Sequence, residues 1–125
     1  MIKVLIAEDD IFLVDVYRIK FESNNCEVKI ALNGEQAINI LKSYSPDIIL
    51  LDLLMPKKDG FQTLSELKAN PKWKHIPVIV TTNLSQSSDQ DKALKLGAID
   101  YLVKSNTTLE AIVKKVNTYT QVEEG

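Results

Sequence analysis

Cysteine, histidine and tryptophan each occur once in this 125-residue sequence, and glycine and proline only four times each. A single thiol, Cys26, cannot close an internal disulfide, so it suits a reducing, cytoplasmic setting. It heads an apolar-alternating run and reads as a buried structural thiol. Basic residues are not in excess: 15 Lys and Arg stand against 17 Asp and Glu, for a net charge of -2. That balance argues against a nucleic-acid-binding body, which needs clustered cations to neutralise phosphates. No apolar run approaches the roughly 18 residues of a membrane span. The opening MIKVLIAEDD turns acidic too soon to be a signal peptide. Repeats, low-complexity tracts and Pro/Gly-rich linkers are also missing, so nothing divides the chain.

What remains is an ordinary globular composition, 45% apolar and 26% charged, in a length that suits one domain. Short β-branched runs at 2–7, 26–32, 47–51, 77–81 and 99–103 alternate with amphipathic stretches at about 11–23, 34–43, 60–69, 87–96 and 107–119. This alternation predicts an α/β fold with a five-stranded parallel sheet covered on both faces. The first, third and fourth runs are nearly all apolar, as doubly covered strands should be. Right-handed crossovers leave few topologies, and the flavodoxin-like doubly wound (βα)5 order 2-1-3-4-5 is the most economical. The punctuation agrees. Asn33-Gly34 ends the second strand, Ser45-Pro46 precedes the third, Pro71 stops the third helix and Gly97 stands at a helix C-cap. Thr107 or Thr108 caps the last helix. The domain is expected over 1–121, with VEEG at 122–125 a frayed tail.

In an open α/β sheet, ligands bind beyond the carboxyl ends of the strands near the topological switch point. The first strand ends in Glu8-Asp9-Asp10, the third in Asp52, the fourth in Thr81-Thr82 and the fifth in Lys104. In the expected order these ends are neighbours and converge on one pocket. Crowded carboxylates repel one another unless a cation is present, and hard oxygen ligands favour Mg²⁺. A lysine and a threonine hydroxyl facing that metal suit a phosphoryl group, with the central carboxylate as nucleophile. Asp10, and with it Glu8, has a second reading as a helix N-terminal acid complementing the dipole.

These residues match a family. Glu8-Asp9, the segment DLLMPKKDG from Asp52 to Gly60, Thr81, Lys104 and the stretch LGAIDYLVK from Leu96 to Lys104 resemble the receiver domain of two-component response regulators, over nearly the whole length. The resemblance implies a phosphoacceptor switch, not an enzyme beyond its own phosphorylation and dephosphorylation. It makes Asp52 the phosphoacceptor. Glu8, Asp9, Asp52 and the Leu54 carbonyl would hold Mg²⁺, and Lys104 and Thr81 would bind the phosphoryl oxygens. Thr81 and Tyr101 would act as switch residues, Tyr101 moving inward on the face of helix four, strand five and helix five. The donor would be a phosphohistidine on a histidine kinase or histidine phosphotransfer protein. The output would be an unnamed protein target, without direct nucleic-acid or membrane contact, for a monomer or a phosphorylation-dependent dimer.

The sequence departs from the family pattern at two places. Ser105 follows Lys104 where proline is usual, and Thr82 replaces a smaller residue beside the switch threonine. Leu54 and Asn83, each two residues past a site residue, flank the path of a hydrolytic water; apolar Leu54 is expected to slow dephosphorylation. Alternatives stay open: a degenerate receiver used as a scaffold, a Mg²⁺-dependent phosphohydrolase, or a flavodoxin-like binder. A phosphohydrolase wants a cap domain and a general acid where Leu54 stands, and a flavin phosphate would be repelled by the acidic triplet.

Elsewhere His75 reads as a surface loop residue and Trp73 as a partly exposed loop anchor, Lys57 and Lys58 as solvated, and Met55 and Pro56 as shaping the acceptor loop. Leu13, Val16, Tyr17 and Phe21 form an expected core stripe of the first helix, with Phe12, Val14 and Ile19 surplus. The surplus is either a docking patch for a helical partner or the edge of a wide core stripe. SQSSDQD at 85–91 opens the fourth helix with almost no apolar anchor.

Overall fold

The computed structural model describes residues 1–120, so residue 121 and the expected tail at 122–125 lie outside the described residues. Strand β1 (Ile2–Ala7) leads to helix α1 (Ile11–Ser23), and the alternation continues through β2 (Cys26–Ala31), α2 (Gly34–Leu41), β3 (Ile48–Leu51) and α3 (Gly60–Ala69). It ends with β4 (Val78–Thr82), α4 (Ser87–Lys95), β5 (Asp100–Val103) and α5 (Leu109–Thr120). All pairings are parallel, in the order β2-β1-β3-β4-β5. This is the expected flavodoxin-like order. A short 3₁₀ turn, Lys104–Asn106, had no sequence signal and delays α5 to Leu109.

Side-chain alternation along the strands builds two cores, one per sheet face. Val4, Ile6, Ile48, Leu50 and Ile79 pack against α1 and α5 through Tyr17, Phe21, Ile112, Val113 and Val116. Leu5, Ala7, Ile49, Leu51, Val78 and Val80 pack on the opposite side against α2, α3 and α4. Both faces of the inner strands are therefore dry, which is why their sequences are continuous apolar runs.

Helix starts carry side-chain caps. Asp10 accepts from the Phe12 and Leu13 N–H groups, Asn33 from Gln36 and Asp59 from Gln62. Thr108 accepts from Ala111 at the start of α5. Helix α4 has no side-chain cap and buries only Ala93, matching its weak anchoring in the sequence. Gly97 follows α4 at φ +113°, a conformation that disfavours any residue with a Cβ. Cys26 is buried, as expected.

Two expectations need correction. In α1 the buried residues are Val14, Tyr17 and Phe21, with Leu13 half-buried and Val16 exposed. Val14 and Val16 thus exchange the roles read from the periodicity. Both positions suit an apolar stripe, and only the direction in which the helix crosses the sheet separates them. Lys58 is half-buried and paired with Glu66 at 2.7 Å instead of being solvated.

Candidate functional site

Strand register assembles the site. Ala7 lies beside Leu51, Leu51 beside Val80, and Val80 beside Tyr101. One residue further along, Glu8, Asp52 and Thr81 stand side by side at the carboxyl edge of the sheet. The alternation that sends Ile6, Leu50 and Ile79 to the α1/α5 face carries these three to the same face. Lys104, two residues beyond Leu102, shares that parity. Four chemical groups from four strands thus meet on one side of the sheet.

The carboxylates of Glu8 and Asp52 and the hydroxyl side chain of Thr81 are buried, while Asp9 is exposed at the rim. Lys104 Nζ donates to Glu8 Oε1 and, at 2.8 Å, to Asp52 Oδ2. The second Asp52 oxygen accepts the Leu54 N–H at 3.0 Å, which orients the carboxylate. Glu8 also accepts the Asp10 N–H at 3.0 Å. Glu8 therefore faces inward into the site, whereas Asp10 is the exposed N-cap of α1, the second of its two readings.

Electrostatics follow from this crowding. Burial pushes the Glu8 carboxyl above its ordinary range; Lys104 and the Asp10 N–H pull it back, and Asp52 adds to the rise. Burial alone would lower the Lys104 ammonium, but its bonds to Asp52 and Glu8 outweigh it and the net shift is upward. Lys104 is thus firmly cationic and offsets part of the acidic charge.

Glu8, Asp9 and Asp52 bring one oxygen each within 4.8 Å of one another. An octahedral Mg²⁺ with ligands at about 2.0–2.1 Å has oxygens separated by roughly 3–4 Å, so this donor set fits that ion. It contains no nitrogen or sulfur donor that would favour a softer metal.

Tyr101 is buried on the opposite face, its hydroxyl donating to the Leu84 carbonyl at 2.7 Å. Leu54 and Asn83 are both exposed at the rim. All peptide bonds among the described residues are trans, Lys104–Ser105 included. His75 is exposed and Trp73 half-buried against the α2/α3 core, as their loop readings expect. Sequence reasoning gave Tyr17 only a core role, yet it lines a small cavity together with Lys104; a polar tip on a core-stripe residue was the available signal.

The profile of the response regulator receiver domain matches residues 4–117. The chain belongs to that family. Among similar proteins, this receiver domain is 36% identical over 116 residues to a probable transcriptional regulator, ycf27, of Porphyridium aerugineum, covering 91% of the chain and 47% of that relative. The receiver domain of Francisella response regulator 1452 superposes with a TM-score of 0.89 at 29% identity, covering 96% of this chain and 97% of the other. The signal receiver domain of a signal transduction histidine kinase from Syntrophus aciditrophicus does so with a TM-score of 0.90 at 28% identity, covering 100% and 95%. The chain spans 21% and 47% of the length of two of its curated relatives. Receiver domains are phosphoacceptor switches of two-component signalling that bind Mg²⁺ in an acidic site, and this chain carries such an acidic cluster. No helix among the described residues is long and apolar enough to cross a membrane.

Proposed function

We propose that Asp52 of this receiver domain accepts a phosphoryl group from a phosphohistidine of a histidine kinase or phosphotransfer protein. One observation carries the reading: a buried carboxylate with one oxygen held by a backbone N–H and the other by Lys104 at 2.8 Å, beside Glu8 and Thr81. An Asp52 oxygen attacks phosphorus in line as the P–N bond to the donor imidazole breaks. The imidazole nitrogen leaves with the bonding electrons and takes up a proton from solvent. Glu8, Asp9, Asp52 and the Leu54 carbonyl would hold Mg²⁺, which supplies positive charge where phosphoryl and carboxylate oxygens crowd together. Lys104 pairs with a phosphoryl oxygen and Thr81 donates to another. Asn83 and Leu54 border the water path that sets the phosphoryl lifetime.

Exposed Ile11, Phe12, Val16 and Ile19 on α1 lie beside the acidic rim and offer the donor protein an apolar docking face. Output runs through α4, β5 and α5, as Thr81 near the end of β4 and Tyr101 on β5 respond to the new charge. A cytoplasmic setting suits the chain's one buried thiol.

Intact-protein mass after incubation with acetyl phosphate tests the proposal. One added phosphoryl group that requires both Mg²⁺ and Asp52 is expected. An adduct that survives Asp52→Asn, or none at all, removes the reading in favour of a scaffold.

A further inference from the structure

Between β3 and α3 the chain closes a loop on itself. The Gly60 N–H donates to the Leu53 carbonyl at 3.1 Å, and Gly60 seats so closely that a Cβ would overlap the backbone of Asp52 and Leu53. Within the loop lies Leu54, whose N–H holds Asp52 Oδ1 at 3.0 Å. Lys57 turns the chain through φ +65°, a left-handed conformation that disfavours a residue with a Cβ. The backbone preference at Lys57 therefore works against this shape, and contacts from outside the loop have to hold it.

Two such contacts meet at Lys58. Its ammonium donates to both Glu66 oxygens at 2.7 Å, and the lysine side chain is only 23% exposed. Its main chain rests on the start of α2, where a Cβ on Gly34 would come within 2.8 Å of the Lys58 carbonyl oxygen. Glu66 is a fixed anchor, because α3 buries Leu64 and Leu67 on either side of it in sequence. Asp59 continues the fastening: its carboxylate accepts the Gln62 N–H at 2.8 Å and its carbonyl the Thr63 hydroxyl at 2.9 Å. An exposed ion pair contributes little, but a half-buried one that engages both carboxylate oxygens fixes the geometry of the segment carrying it.

We propose that Lys58 is a positioning residue: its ion pair with Glu66 holds the acceptor loop in the shape that presents the Leu54 carbonyl and the Asp52 carboxylate to Mg²⁺, and so sets the affinity for the ion. The inference rests on the Mg²⁺-dependent phosphoacceptor reading of Asp52. The two partners separate positioning from simple charge. Through charge alone, loss of the Lys58 cation would tighten a divalent cation and loss of the Glu66 anion would loosen it. A clasp loosens the ion when either partner is lost.

The test is a Mg²⁺ titration followed by amide spectra in wild type, Lys58→Met, Glu66→Gln and the double variant. The Kd is expected to rise about three- to tenfold in each single variant, with no further rise in the double. In the metal-free protein, the Leu54 and Gly60 amides should exchange faster in both single variants, while amides of β1 and β3 keep their wild-type protection. Wild-type or tighter affinity in Lys58→Met overturns the proposal, as does a double variant whose loss is the product of the two single ones. Equally faster exchange throughout β1 and β3 also overturns it, because the loss is then one of general stability. Should Lys58→Met not fold, Lys58→Gln is measured under the same criteria. If wild type itself shows no saturable response to Mg²⁺, the metal-dependent reading of Asp52 falls and the role of Lys58 falls with it; if wild type binds and Lys58→Met binds equally, only Lys58 is refuted.

Discussion

Lys104 and Asp52 stand 52 residues apart in the chain, yet the Lys104 ammonium donates to Asp52 Oδ2 at 2.8 Å. The same ammonium also serves Glu8, so one cation is shared by two buried carboxylates, with Asp9 at the rim. Three acids against one base leave the site short of positive charge. That deficit gives the metal-free protein a measurable liability.

Neutralising one acid should relieve it. Asp52→Asn is expected to stabilise the Mg²⁺-free protein by about 1 kcal/mol, raising the melting temperature by roughly 3–5 °C. Added Mg²⁺ should raise the melting temperature of wild type by mass action and that of Asp52→Asn far less. Calorimetry with and without the ion checks both. A destabilised Asp52→Asn would mean that its bonds to Lys104 and the Leu54 N–H outweigh the repulsion.

Leu54 projects an exposed apolar side chain at the rim, where it cannot orient a water molecule. Leu54→Asn is expected to shorten the phosphoryl lifetime several-fold, followed by loss of the adduct mass over time. A lifetime equal to wild type would remove Leu54 from the water path.

Gly60 begins α3 with its N–H donating to Leu53 O at 3.1 Å, and a Cβ there would overlap the Asp52 carbonyl oxygen and Leu53 Cα. Both obstacles are backbone, so Gly60→Ala must displace the acceptor loop. A cost of about 2–3 kcal/mol is expected in denaturant unfolding, with slower labelling by acetyl phosphate. Wild-type values for both would show that the loop shifts freely.

Asp100 at the start of β5 accepts from the Tyr119 hydroxyl at 2.7 Å and pairs with Lys115 at 3.2 Å. Burial would raise its pKa, but Tyr119, the Tyr101 N–H and Lys115 overcome that and hold it below the usual 3.8. The folded state thus prefers the ionised form. This stabilisation is complete above the unfolded pKa and is lost as pH falls below it through the lowered folded value. Asp100→Asn is expected to cost about 1 kcal/mol at neutral pH, with the deficit closing below about pH 4. Urea midpoints across pH check the sign; a constant deficit would assign the loss to packing.

The alternation of β-branched runs with amphipathic stretches was enough to predict the parallel sheet, because doubly covered parallel strands must be apolar on both sides, whereas its strand order rested on crossover handedness and in part on the family resemblance. Residues ending those strands were legible for the same reason: Glu8, Asp52, Thr81 and Lys104 break apolar runs where the sheet's carboxyl edge must lie. Side-chain direction was not legible. Val14 and Val16 both suit an apolar stripe, and the crossing of α1 over the sheet decided which is buried. Asp10 and Glu8 are both strand-end acids, but the turn into α1 exposes one as a cap and buries the other against Lys104. Lys58 found Glu66, eight residues on, only through the path the acceptor loop takes into α3. Local pattern is set by the period of a strand or helix, so the sequence alone determines the elements and their order. Partnership depends on register and on the angle between elements, which only the folded chain defines.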